Sequence, residues 1–443
     1  MQNQTSVNHG IGNLPPVLQR SGLAMLCLFL LRNRAAAQDI LTPPPQTPAV
    51  PTAMQEHQAE NPMQVFPTPE ATASPYPLQW GPVTAHPRAN YQFDYSTGLE
   101  SGPGRSQGTV VQTVSPGVLF NLGDHWTLDY GPSLTFYSSS AFSESVDQAV
   151  HLGWGTAYGN DWFFSGGQSY TSTSDPNVQT AAQTGQEAYA TALNASYQIN
   201  EKMSLSLGLG QSFSYVDQGS RTTNSLLSLG DSKSWSTSEG LNYQFWPRFS
   251  VGLSAGLGYS EPTGSVNSLN EQYQGQMNWR ATDKISFQLS GGIEDQQYLS
   301  GGASSLATPI FGASVQYQPF EQTQVSLSAN RTVSQSVFEN EVSENTAVSL
   351  NVNQRLLGQL QLSLSGSYGT SKYLASVASL STSRNDDTYT FNARLSCPVL
   401  KRGSISVFYT YTDNSSTQSG FATTGTGYGF SSSEVGFSIG YTY

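Results

Sequence analysis

Outside the N-terminal segment, the side chains with the widest chemical repertoire are four histidines, His57, His86, His125 and His151. They are scattered, and no two fall at the spacing that places metal ligands on one face of an element. A hydrolytic Ser–His–acid set around His151 cannot be assembled from spacing alone, because such triads are defined by geometry rather than by order in the chain. Cys27 lies in an apolar N-terminal run, and Cys397 is the other thiol, so a chain trimmed of that run has no disulfide to form. Cys397 reads as a small hydrophobe. No phosphate-binding loop is present, and a formal net charge of −12 argues against a nucleic-acid partner. The expectation is a chain with no catalytic, cofactor-binding or metal-ligating residues, and hence not an enzyme.

Charge placement is the remaining chemistry. Basic residues (Lys202, Arg248, Arg280, Lys284, Arg355, Arg394, Lys401, Arg402) gather beside short turns. Acids, from Glu144 and Asp147 through Glu294 and Glu341 to Asp386 and Asp387, gather toward longer loops. What those charges can do depends on the elements that carry them.

Those elements are strands. In Val435–Tyr443 the residues Val435, Phe437, Ile439, Tyr441 and Tyr443 alternate with Glu434, Gly436, Ser438, Gly440 and Thr442. Successive side chains of a strand point to opposite faces, so one face is apolar and the other small or polar. The same rhythm recurs in Met203–Phe213, in Phe249–Leu257, in Ile285–Ile293, in Val325–Ala329, in Leu360–Leu364 and in Tyr389–Leu395. Short turns punctuate it at Gly123–His125, Gly159–Asp161, Asn200–Lys202, Trp246–Arg248, Ala281–Asp283, Pro319–Glu321, Leu357–Gln359 and Leu400–Gly403. They recur about every 35–46 residues, enough for two strands and one longer loop. With an opening strand near Tyr91–Tyr95 and the closing strand at the C-terminus, the hairpins make about 18 strands, with 16 as the alternative.

Composition says what the two faces meet. Charged residues are 11% and hydrophobic residues 37%, against roughly 25% and 45–50% in average soluble domains. Yet 23 Tyr, 20 Phe and 7 Trp are too many aromatics for a disordered chain. The Ser/Gly/Gln/Asn/Thr face lacks the bulk to fill a small barrel and must be wetted. Trp126, Trp162, Trp246 and Trp279 lie at or near short turns, where an interfacial girdle would form. The fold class expected is all-β, a transmembrane antiparallel up-and-down β-barrel. A soluble β-solenoid would show one uniform strand-to-turn spacing, which this chain lacks.

The apolar run Leu23–Leu31 is about half the length of a spanning helix. With Arg20 before it and Ala35–Ala37 after it, residues 1–37 read as a secretory signal peptide. Residues 38–86, rich in Pro among Gln, Ala and Thr, read as a disordered periplasmic tail. Residues 87–443 form the barrel.

With Trp80-Gly81-Pro82 leading into the strands and Phe437, Ile439, Tyr441 and Tyr443 closing them, the chain resembles bacterial outer-membrane β-barrel proteins. It is most similar to the uncharacterised β-barrel porin families. The resemblance implies a Gram-negative-type outer membrane, surrounding lipid, and recognition of those four C-terminal residues by the barrel assembly machinery; whether barrels associate into homo-oligomers is left open by the sequence. Tyr443 stands where such families usually end in Phe. The function expected is a porin-like channel for passive diffusion of small hydrophilic solutes. The alternatives are the barrel of a polysaccharide export system and a surface adhesin without transport. Arg280, Arg355, Arg394, Asp129 and Glu294 are the candidate pore-lining charges. The arginines would bias the pore toward small anions and the acidic loops would bind divalent cations.

Overall fold

The computed structural model describes residues 78–102, 105–177, 180, 182–216, 230–300, 305–336, 341–375, 384–399, 401–417 and 428–443. The expected signal peptide, and the expected tail as far as residue 77, lie outside them.

A short strand, β1 (Leu78–Trp80), precedes the long strands β2 (Val83–Gly102), β3 (Arg105–Leu122), β4 (Trp126–Tyr137), β5 (Ser145–Tyr158) and β6 (Trp162–Thr173). Two dipeptide strands, β7 (Pro176–Asn177) and β8 (Ala182–Gln183), form a small hairpin of their own. The long strands resume with β9 (Gln186–Asn200), β10 (Met203–Val216), β11 (Ser232–Trp246), β12 (Phe249–Pro262), β13 (Ser268–Arg280) and β14 (Ile285–Tyr298). They end with β15 (Leu306–Phe320), β16 (Thr323–Gln335), β17 (Glu341–Leu356), β18 (Leu360–Ala375), β19 (Asn385–Val399), β20 (Gly403–Thr417) and β21 (Phe430–Thr442). Each long strand pairs antiparallel with the next, and β2 pairs with β21 through Arg88↔Thr442 to Ser96↔Glu434. Among the described residues, eighteen strands thus close an up-and-down barrel. Closure leaves no free sheet edge, the condition for strands to lie in hydrocarbon. No helix among the described residues is long and apolar enough to cross a membrane.

The first barrel strand begins at Val83, ahead of the expected start at 87, because Val83–Ala85 pairs on one side with β1 and on the other with β3. The short turns fall where turn chemistry places them. Gly123 and Gly159 take the left-handed conformation at φ +64° and +65°, which costs glycine little. Leu357 shares that region at φ 50° beside Gly358. One turn shifts: β15 runs through Pro319 to Phe320, and the reversal is Glu321–Gln322. Pro319 falls in a register irregularity between Tyr317 and Phe320, where its missing N–H removes no ladder bond.

Alternation sorts the faces as period 2 requires. Leu193, Leu207, Leu253, Ile293, Val407 and Val435 are exposed on the outside. Aromatic contacts form two belts on that face. Trp126–Trp154, Trp162–Tyr197, Trp246–Phe249 and Trp279–Phe287 lie near the short turns. Tyr170–Tyr189, Phe213–Trp235–Tyr259 and Tyr368–Tyr389 lie toward the longer loops. Glu239 interrupts the outer face of β11, between Trp235 and Tyr243 and in register with Leu207 and Ala255. On the inner face small polar side chains bond across strands, as in Ser406–Ser438 (2.7 Å), Ser328–Ser349 (2.7 Å) and Gln276–Asn242 (2.7 Å).

Candidate functional site in the barrel lumen

The segment between β6 and β9 turns inward. Its β7–β8 hairpin packs against β2, although β3, β4 and β5 intervene in the wall, so it crosses the inside of those strands. Side chains hold it there. The Gln183 amide donates to the Ser143 carbonyl (2.8 Å) and accepts from the Ser143 N–H (2.9 Å). The Ser174 N–H donates to Asp147 Oδ1 (2.9 Å), and the Tyr137 hydroxyl donates to Asp175 (3.4 Å). Asn177, Thr180 and Thr184 are buried in consequence. The hydroxyls of Thr180 and Thr184 bond each other at 3.0 Å, so the loop satisfies its own polar groups rather than exposing an apolar core.

The wall beneath the hairpin carries charge. Asp94, Asp147 and Glu434 lie on the inner faces of β2, β5 and β21, and Asp175 lies on the infolded segment. Asp175 is within electrostatic reach of Asp147 and Glu434, and Asp94 of Glu434. Gly436 makes room for this packing, since a Cβ there would meet both Asp94 Cβ and the Phe408 ring at 2.7 Å.

The five expected pore-lining residues all have inner-face register but do not converge. Arg280 ends β13 and Arg355 is the last residue but one of β17, both exposed at the short-turn rim. Arg394 lies deeper, its guanidinium 5.1 Å from the Phe408 ring centre and 3.2 Å from Ser406 Oγ. Glu294 is opposite Gln272 and Thr308, on a different sector. Asp129 forms a 2.7 Å ion pair with Arg88. Arg88 reaches it from β2 across β3 because Gly117 and Gly131 present no side chain, and a Cβ on Gly117 would sit 2.9 Å from the Arg88 Nε. Both partners are more than a third exposed, so the pair is solvent-screened.

Arg88, Asp94 and Glu434 were missed as lining residues. The signal was available, because parity against Tyr91, Phe93 and Tyr95 puts Arg88 and Asp94 on the inner face. The register also sets Asp129, His151 and Ser169 side by side on β4, β5 and β6. Among the described residues no hydrogen bond joins these three, and Asp129 is turned to Arg88. Nor do three acidic, histidine or cysteine side chains among the described residues converge to hold a metal ion. The loop acids Asp217 and Glu339, expected to bind divalent cations, lie outside the described residues.

Toward the longer loops, Arg384 is buried between the rings of Tyr373 (4.5 Å) and Tyr428 (3.9 Å) and bonded to both Asp386 oxygens. Burial pushes the Tyr428 phenol up, which keeps it a neutral stacking surface for the cation.

Residues 265–430 match the family model described as Putative beta-barrel porin 2. Over that stretch, a little more than a third of the chain, the protein resembles the porin family. Among solved structures it is similar to OpdL of Pseudomonas aeruginosa, at 12% identity and TM-score 0.42 over 82% of this chain and 98% of that one. It is also similar to OpdK of the same organism, crystallised with vanillate, at 10% identity and TM-score 0.42 over 81% and 99%. The siderophore receptor PirA from Acinetobacter baumannii matches at 8% identity and TM-score 0.41 over 81% and 80%. No curated protein matches the chain in sequence.

Proposed function

We propose that this barrel is a channel for passive diffusion of small hydrophilic solutes, narrowed on one side by the β7–β8 hairpin. The observation that carries this reading is the inner face. From β10 through β13 it consists of Ser, Gly, Gln and Asn, with Val216 and Pro262 at the loop end and Arg280 at the rim. A ring of eighteen strands encloses more than such side chains can fill, so water occupies the remainder. The infolded hairpin reduces the opening without offering an apolar pocket, which favours sieving of polar solutes over capture of one ligand.

The surroundings follow from the same fold. Phe437, Ile439 and Tyr441 present an exposed apolar row to lipid, and with Tyr443 they are the residues the barrel assembly machinery would read. Residues 1–37 serve as the secretory leader and the Pro-rich stretch as a periplasmic tether. In planar bilayers the purified protein gives discrete open-channel currents in potassium chloride, and liposomes carrying it swell in isotonic small sugars. Silence in both assays overturns the proposal.

A further inference from the structure

We infer that the carboxylates under the hairpin select cations, and that the solutes favoured are small organic cations carrying ammonium or guanidinium groups. The inference rests on the channel reading above and names the class of solute for that lumen. Three strands and the infolded segment contribute one acid each: Asp94, Glu434, Asp147 and Asp175. Asp94 and Glu434 are on adjoining strands, where Asp94 pairs with Gly436 and Ser96 with Glu434, so the two carboxylates are diagonal neighbours on one face. None of the ion pairs among the described residues engages Asp94, Asp147 or Glu434.

Asp147 supplies the second observation. It is 6% exposed, its Oδ1 is fixed by the Ser174 N–H, and its Oδ2 is buried without a hydrogen-bond partner. A buried carboxylate oxygen left unbonded beside further carboxylates is costly unless a proton or another positive charge comes to it. The hairpin that pins Asp147 also carries Asp175 into the same space, so the negative field is built where the lumen is narrowed. Low-dielectric walls focus such a field and raise the local cation concentration.

The geometry also decides which cations. No three of these acids converge closely enough to strip and ligate a metal ion, so hard divalent ions gain no chelate. An organic cation, less tightly hydrated than a divalent metal ion, can instead respond to the summed field of separated carboxylates without ligating any of them. Binding of that kind is weak and distributed over several sites, as conduction requires.

Reversal potentials across a potassium chloride gradient test this in the full-length protein. The wild type prefers K⁺ over Cl⁻ by roughly fivefold, and the combined Asp94→Asn, Asp147→Asn and Glu434→Gln variant falls toward no preference. An unselective wild type overturns the inference while leaving the channel intact, whereas absence of any current defeats the channel reading instead. A second measurement needs no variant: spermidine added on the long-loop side blocks the wild-type current in the micromolar to millimolar range, and an equal concentration of Mg²⁺ blocks less. Stronger block by Mg²⁺ overturns the assigned solute class.

Discussion

Opposite walls of this barrel differ in one respect. The inner faces of β2, β4, β5 and β21 carry Arg88, Asp94, Asp129, Asp147 and Glu434, with the hairpin folded over them. Half the circuit away, β11, β12 and the body of β13 present no charge to the lumen. Both walls are built of long antiparallel strands with an outward row of apolar side chains. The barrel itself therefore does not need the charges. A Ser/Gly wall satisfies the water-facing requirement with cross-strand hydroxyl bonds, and the acidic wall adds carboxylates that must be desolvated or neutralised. Stability is carried by the repeating pattern, and charge discrimination by the sector that departs from it.

The sharpest way to break that comparison is to remove what covers the charged wall. Replacing residues 176–183 by two glycines cuts away β7 and β8 while leaving every barrel strand in place. Single-channel conductance should rise roughly twofold and cation preference should fall, because the same carboxylates then face a wider, better-screened lumen. Unchanged conductance would mean that the hairpin lies off the permeation path and that the two walls are equivalent to a passing ion.

A smaller effect is expected at the rim. Arg280 and Arg355 are exposed where the barrel meets bulk water, and Arg394 is held against Phe408. The two rim charges act through a high dielectric and are screened within about 10 Å at 0.1 M salt, while the deeper Arg394 is engaged by the Phe408 ring and Ser406. Changing all three to Gln should move the reversal potential toward cations by less than neutralising the three acids moves it the other way. A larger shift from the arginines would reverse the ranking and restore the anion bias that their inner-face positions alone imply.

The uneven legibility of this chain has the same origin. Strand number, most short turns and the two-faced character were readable because a period of two and a turn residue such as Gly123 or Asn200 are local signals. Asp94 and Glu434 were readable in part, since alternation assigns their face, but not their neighbours: β2 meets β21 only through closure of the ring. The hairpin was not readable. Its contacts to β2 span some 80 residues of sequence, and a polar loop carries no periodicity to say whether it folds in or out. The two-residue displacement of the turn at Pro319 reflects a tertiary option, a register irregularity, that tolerates proline inside a strand.

The least effect is expected on the lipid side of the neutral wall. Glu239 faces outward on β11, flanked on its own strand by Thr237 and Leu241 and midway between the aromatic belts at Trp235 and Tyr243. A carboxyl side chain there gains nothing from the lumen and costs about 1 kcal/mol, less than Lys or Arg at the same depth. Glu239→Leu should therefore raise the barrel's resistance to urea unfolding in lipid vesicles by about that amount and leave conductance and selectivity unchanged. Were the substitution to lower stability or abolish assembly, Glu239 would have to be meeting a partner on the outer face, and the neutral wall would be the working side of the barrel toward the membrane, as the acidic wall is toward the lumen.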